Sequence, residues 1–242
     1  MTDGSAASTS TREGGASEGV LDNPAWSALT GPQSAVALRS GRAARFPVGV
    51  SVFAALDDDP DAATWNDAAR LPGSDDMVLV AAPDPPAGWE VRLGVPALQM
   101  VAVDLDLAPD PEAVELGVGD VEEMLELVAR TRPGPFLART IELGRYIGIR
   151  RDGVLVAMAG ERFRLPGWTE ISAVCTEESV RGSGLASRLV RAVGAAIAAR
   201  GDGVILHVAN TNTNAIRLYR TLGFVERRPI DFVVVRAPQP TV

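Results

Sequence analysis

The stretch VRGSGLASRL, residues 180–189, sets an arginine and two glycines directly ahead of a run of helix formers. Glycines often only punctuate the join between a loop and a helix, so the neighbouring segments decide what this turn is for. Before it, WTEISAVCT (168–176) reads as a strand. After it, LASRLVRAVGAAIAAR (185–200) carries apolar residues at helical spacing, and GVILHVA (203–209) is the continuous apolar run of a buried parallel strand. The turn therefore joins a strand to a helix inside a strand–helix–strand unit. In that place the free N–H groups of the first helical turn, with their partial positive charge, converge on one point. Gly182 and Gly184 let a bulky anion approach the backbone, and Arg181 adds a guanidinium fork that matches phosphate oxygens. A pyrophosphate is the expected guest. A dinucleotide motif would need a third glycine where Ser187 stands, and an acid at the end of the next strand, where Ala209-Asn210 stands instead.

The composition narrows the partners. Hydrophobic residues make up 46% and charged ones 22% of 242 residues, the balance of a globular chain of one large or two small domains. No apolar run approaches the roughly 18 residues of a membrane span, and MTDGSAASTSTREGGASEG at the start has no apolar segment of a secretory signal. The one cysteine, Cys175, excludes an internal disulfide and fits a reducing compartment, so a cytoplasmic location and no membrane partner are expected. A net charge of −8 argues against a nucleic-acid partner. All 23 basic residues are arginine, a bias that fits a G+C-rich bacterial genome. Without lysine there is neither a Schiff-base amine nor a Walker-type Gly-Lys pair. A single histidine, His207, leaves little for a metal cluster, and no metal is expected.

Four segments are expected along the chain. Residues 1–19 have too little apolar surface to order and read as a disordered tail. Residues 20–107 form a smaller α/β part, with strands at FPVGVSVFAAL (46–56), DMVLVAA (76–82) and WEVRLGVPALQMVAVDL (89–105) and a helix at ATWNDAARL (63–71). The prolines of 108–112 mark a linker. Residues 113–242 then run strand AVELG, helix VEEMLELVART capped by Asp120, hairpin RYIGIRRDGVLVAMAGERFRLPG turning at Asp152-Gly153, the strand–helix–strand unit, helix TNAIRLYRTLGF and strand PIDFVVVR. The fold class is thus α/β with a mixed sheet. The tetrapeptide RLPG recurs at 70–73 and 164–167, a weak repeat signal.

Here the sequence resembles the GNAT superfamily of N-acetyltransferases, in particular its glycine N-acyltransferase-like branch. Arg181-Gly182-Ser183-Gly184-Leu185-Ala186 resembles the family's acetyl-CoA loop, and NTNAIRLYRTLGF (212–224) its Asn-x-x-Ala…Tyr…Leu-Gly-Phe helix. The resemblance covers roughly 113–236. It implies the GNAT acyl-CoA N-acyltransferase fold there, with 20–107 as an accessory domain or a degenerate copy. It also implies acetyl-CoA as co-substrate and a small-molecule or peptide primary amine as acceptor.

By the same resemblance, the strands at 168–176 and 203–209 splay into a wedge for the pantetheine arm. Backbone N–H groups near Ala173, Val174 and Cys175 would then polarise the thioester carbonyl, whose oxygen gains negative charge as the amine attacks. Asn212 matches the pantetheine-binding position, although it, Asn210 and Asn214 would equally suit a helix cap. Tyr219 matches the general acid, against the plainer reading of a helix tyrosine packed on the sheet. Glu170 matches the base, against a solvated strand carboxylate, with Glu161 as fallback; an apolar setting would raise its pKa. Cys175 has no evident histidine base and reads as a small buried residue. His207 reads as packed or hydrogen-bonded. One CoA per chain is expected, since 20–107 has neither motif. The alternative function is a CoA-binding sensor or scaffold without transfer activity.

Overall fold

A computed structural model describes residues 18–73 and 76–238. The expected tail lies outside these residues except for Glu18 and Gly19, which belong to a 3-10 turn, Glu18–Leu21. The chain then forms α1 (Pro24–Thr30), β1 (Leu38–Ser40), β2 (Ala43–Arg45), β3 (Phe53–Leu56), α2 (Ala62–Ala69), β4 (Met77–Val80) and β5 (Glu90–Ala102). There follow β6 (Val114–Glu115), α3 (Val121–Thr131), β7 (Tyr146–Arg151), β8 (Val154–Leu165), β9 (Trp168–Thr176), α4 (Leu185–Ala199), β10 (Gly203–Ala209), α5 (Thr213–Thr221) and β11 (Phe224–Arg236).

Local chemistry explains most of these elements. The Asn23 side chain accepts from the Trp26 N–H, and Pro24 occupies the first helical position, so α1 starts where a proline costs no hydrogen bond. Asp61 and Thr64 form a reciprocal capping box at the start of α2. Asp152 and Gly153 both have positive φ, 51° and 83°, as the tight β7–β8 hairpin turn requires. The strand expected over 46–56 is confined to Phe53–Leu56. Pro47 and Gly49 break its start, and the N–H groups of Val50 and Ser51 turn back onto the Pro47 carbonyl. α1, β1 and β2 were not expected from the sequence.

Among the described residues, the eleven strands form one sheet, in the order β1-β2-β3-β4-β11-β5-β10-β9-β8-β7-β6. The order contains a near two-fold repeat. β1, β2 and β3 are an antiparallel meander, and β3 runs through α2 to parallel β4. Likewise β7, β8 and β9 are an antiparallel meander, and β9 runs through α4 to parallel β10. Each half's last strand is exchanged: β5 pairs with β10, and β11 pairs with β4. β5 and β11 pair with each other along the centre. The parts on either side of 108–112 therefore share one sheet. That segment is itself tied down, with Asp110 accepting both Arg188 Nε and Nη2 on α4, at 2.6 and 2.7 Å. The strand order of residues 38–80 thus repeats that of residues 146–209. The RLPG tetrapeptides play no part in it, for one ends α2 and the other turns β8 into β9.

Apolar side chains fill both faces. α4 and α5 bury Leu189, Val193, Ile197 and Ile216 on one stretch of sheet, while α1 covers Phe46, Phe53, Phe163 and Ile205 elsewhere. α2 and α3 have their own clusters around Trp65 and Met124.

Candidate active site

β9 and β10 are paired only at Gly203↔Trp168, Val204↔Thr169 and Ile205↔Glu170. Past Glu170 they diverge, leaving six further residues of β9, about 20 Å of extended chain, along one wall of a cleft. Its volume is ≈ 960 Å³, and it runs to the glycine turn and on to α5.

The ladder is also broken on the other edge of β9. Met158 pairs with Cys175 and Gly160 with Ser172, so β9 has one residue too many, and Ala173 and Val174 have no partner on β8. Ala173 has φ 53°, a strained value for a residue with a Cβ. Peptide groups released from both ladders thus line the cleft at the place expected to hold the thioester carbonyl.

At the open end, α4 starts bare. Gly184, the residue ahead of the helix, is left-handed (φ 80°, ψ 4°) and no side chain caps the end. The first helical bond is donated by Arg188 N–H to the Gly184 carbonyl. The N–H groups of Leu185, Ala186 and Ser187 therefore have no acceptor among the described residues. Cβ atoms built on Gly182 or Gly184 would meet no protein atom within 4 Å, so the space beside them belongs to the cleft. Arg181 donates to the Thr176 carbonyl at 3.3 Å and has no carboxylate partner among the described residues.

Of the residues expected to hold the cofactor, Ala173, Val174, Cys175, Arg181, Gly182, Gly184, Leu185, Ala186 and Asn212 line this cleft. Ser183 is not among the lining residues, and its hydroxyl donates to the Val180 carbonyl. Asn212 also caps α5, its Oδ1 accepting from Ala215 N–H at 3.2 Å.

Tyr219 lines the cleft from α5 and packs edge-on against Phe224, with ring centroids 5.8 Å apart. Burial pushes its pKa up to about 12, so at neutral pH the hydroxyl keeps its proton. The Cys175 thiol is likewise pushed up by burial, to about 11, which leaves it protonated and a poor nucleophile.

Glu170 departs from expectation. It is neither solvated nor raised in pKa, and it does not line the cleft. Its carboxylate is fully buried and accepts both Nε and Nη2 of Arg162, the former at 2.8 Å. It also lies 2.7 Å from His207 Nδ1. Burial alone would raise its pKa, but Arg162 and then His207 outweigh that and hold it at about 2. Since the carboxylate can only accept, His207 Nδ1 carries the ring proton. Nε2 then accepts from the Gln99 amide at 3.0 Å. Gln99 also donates to the Leu21 carbonyl and accepts from Arg227, which in turn pairs with Asp22. Glu161, the fallback, is buried and held by Arg200 at 2.9 Å.

Sequence reasoning missed Arg162, which lines the cleft; His207, expected to be packed or hydrogen-bonded, is hydrogen-bonded to Glu170 and Gln99 and lines the cleft too. An arginine in the apolar run of β8 was the available signal, since such a residue is rarely buried without a partner.

Among the described residues, no group of three or more His, Cys, Asp or Glu side chains could hold a metal ion, and no helix is long and apolar enough to cross a membrane.

Comparisons with known proteins bear on this cleft. A family model described as FR47-like protein matches residues 146–233. A solved structure of an acetyltransferase assigned to the GNAT family, from Novosphingobium aromaticivorans, is 40% identical. The match covers 90% of this chain and 99% of that one, with a TM-score of 0.82. A GCN5-related N-acetyltransferase from Kribbella flavida shares the fold at 21% identity and a TM-score of 0.53, over 84% of this chain and 89% of that one. No curated protein matches the chain.

Proposed function

The chain belongs to the GNAT family of acetyltransferases, and from that premise we propose that it transfers an acetyl group from acetyl-CoA directly to a primary amine of a small molecule or peptide. The observation that carries this reading is the bare, glycine-opened start of α4 at one end of a cleft whose other end is the closed wedge of β9 and β10. When bound, acetyl-CoA would supply the activated thioester.

The chain's own residues divide the work along the cleft. Arg181 and the N–H groups of Gly184 to Ser187 would take the pyrophosphate. Asn212 and the unpaired peptides of Ala173 and Val174 would hold the arm and stabilise charge on the carbonyl oxygen. As the C–N bond forms and the C–S bond breaks, the protonated Tyr219 hydroxyl would give its proton to the departing thiolate. Glu170, held by Arg162 and far below the pKa of a useful base, keeps Arg162 and His207 in place. The amine's proton leaves through water in the open cleft. Cys175 takes no part, so no acyl-enzyme forms. The glycine N-acyltransferase-like branch is the finer reading within the family, supported by the 181–186 and 212–224 motifs.

The test is thiol release from acetyl-CoA across a panel of amines, with acetyl-CoA binding measured alongside by calorimetry. Turnover on an amine supports the proposal. Tight binding with no turnover on any amine turns the reading to a CoA-binding sensor or scaffold. Absence of binding overturns both.

A further inference from the structure

The structure assigns to Gln99, a residue of the first half of the chain, the task of holding His207 as an uncharged wall of the cleft; its bearing on turnover rests on the acetyltransferase reading of that cleft. Gln99 lies on β5, is fully buried and does not line the cleft, whereas His207 does. It therefore acts through His207, as a positioning residue.

The first observation is that the Gln99 amide has one orientation open to it. Oε1 accepts from Arg227 Nη1 at 2.9 Å, and an arginine can only donate. Nε2 donates at 2.8 Å to the Leu21 carbonyl, which can only accept. A flipped amide would lose both bonds and set like against like at each. The second Nε2 proton thus points at His207 Nε2, 3.0 Å away, and that nitrogen is bare to receive it. The Glu170 carboxylate, 2.7 Å from Nδ1, places the ring proton on the other nitrogen. Two independent partners, one on β5 and one on β9, select the same neutral tautomer. A second ring proton would be driven against the amide N–H.

The second observation is that the ring cannot turn away. Phe163 and Phe232 stand edge-on to it at interplanar angles of 74° and 90°, with centroids 6.5 and 5.6 Å away. Half a turn of the imidazole would take Nδ1 from Glu170 and Nε2 from Gln99 together.

The third is the charge at the closed end of the wedge. Among the described residues, the cleft is lined by Arg132, Arg162 and Arg181 and by no aspartate or glutamate. Arg181 stands at the glycine turn and Arg132 at the end of α3, while Arg162 is paired with Glu170, so those two charges offset each other. His207 then sets the sign at that end. An alkyl amine, with a pKa near ~10.4, arrives mostly as an ammonium, and an imidazolium on the wall would oppose its approach. Acetyl-CoA, whose phosphates would sit at the glycine turn, would scarcely feel the change.

The chain has a single histidine, so nitrogen NMR on histidine-labelled protein reads His207 alone. At neutral pH the wild type should show a protonated Nδ1 and a bare Nε2. The test reverses the polarity of Gln99 without changing its shape. In Gln99→Glu a carboxylate held by Arg227 faces Nε2, and both ring nitrogens should carry protons. For an amine turned over in the panel above, kcat/KM should then fall about tenfold or more, with acetyl-CoA affinity held within about threefold. Gln99→Met offers neither donor nor acceptor; it should keep the single proton on Nδ1 and lose less activity than Gln99→Glu. A residue that only packs would give the opposite order, since glutamate keeps the shape and methionine does not. That opposite order, a wild-type ring protonated at Nε2, or a singly protonated ring in Gln99→Glu overturns the inference. If the wild type turns over no amine, the acetyltransferase reading falls, and the spectra alone decide whether Gln99 fixes the ring. Should one variant fail to fold, the spectra of the wild type and the other variant still decide.

Discussion

The two halves of the sheet build the same corner twice and finish it differently. After β9 the chain passes through Gly182 and Gly184 into an uncapped α4; after β3 it passes through Asp57, Asp58, Asp59 and Asp61 into α2. There the Asp61 carboxylate accepts from Thr64 N–H, and Thr64 Oγ1 accepts from Asp61 N–H. Arg42 pairs with Asp57 and Asp61 and so turns its charge inward. β3 and β4 also diverge, past Ala54↔Leu79, but the space between them is ≈ 340 Å³ and is lined by Asp22, Asp57 and Asp58. One helix start is stabilised by its own side chain, while the other is left to be satisfied from outside. Topology makes the wedge. The residues leading into the helix differ: glycines open the second corner, while aspartates line the first.

The harshest way to break this comparison is to give α4 what α2 has. Gly184→Asp places a carboxylate at the bare helix start, where it would compete with and repel phosphate, and acetyl-CoA affinity should fall more than a thousandfold. Gly184→Ala controls for the left-handed backbone, whose strain costs about 1–2 kcal/mol with an L side chain. Calorimetry on folded protein decides, and unchanged affinity in the Asp variant would sink the account of both corners.

Next comes the interior polar network centred on Glu170, which draws Gln99 and Asp22 of the first half onto His207 and Arg227 of the second. Glu170→Gln leaves the Arg162 guanidinium buried without its counter-charge, and stability should fall by about 3–5 kcal/mol. For a chain of this size that is a drop in Tm of roughly 6–20 °C. The wild-type carboxylate has its pKa lowered from 4.5 to about 2, so its contribution is complete above pH 4.5 and disappears as the pH falls towards 2. Thermal melts across that range should therefore steepen in acid for the wild type and remain flatter for the variant.

Tyr219 tests the chemistry of the second half. Tyr219→Phe should lower kcat by about 100-fold, at the modest end of general-acid effects, with acetyl-CoA affinity unaltered. With the hydroxyl pKa at about 12, the wild-type kcat should show no alkaline decline assignable to this group through pH 10. A change confined to KM would make the tyrosine a packing residue.

The mildest change addresses the first half directly. Asp61→Ala removes the α2 cap and should cost about 1 kcal/mol, or a few degrees of Tm. It should not create a second acetyl-CoA site, because Asp57, Asp58 and Asp59 still guard the corner. Titration should give one molecule per chain before and after. A second site would show that Asp61 alone separates the halves.

The site was legible in the sequence where its signals are local. A glycine turn, an amphipathic helix and a capping asparagine each declare themselves within a dozen residues, and Gly184, Asn212 and Tyr219 all meet in one cleft. What escaped depends on residues far apart in the chain. Glu170 looked like an exposed or apolar-shifted acid because its partners Arg162 and His207 lie 8 and 37 positions away on neighbouring strands. The first half was blurred for the same reason. Its strands are short, α1 hides behind a proline that sequence patterns treat as a breaker, and the exchanged strand order has no local signature at all.

That exchange has a consequence for how the protein is made. β5 is synthesised more than a hundred residues before β10 and β11, its two neighbours, and β4 waits as long for β11. A nascent chain holds the β4 and β5 edges open in solution until β11 has emerged. The thirteen residues of β11 are therefore a closing stitch. Nascent chains that stop short of Phe224 should be sticky, protease-sensitive clients of chaperones, whatever the state of the cleft.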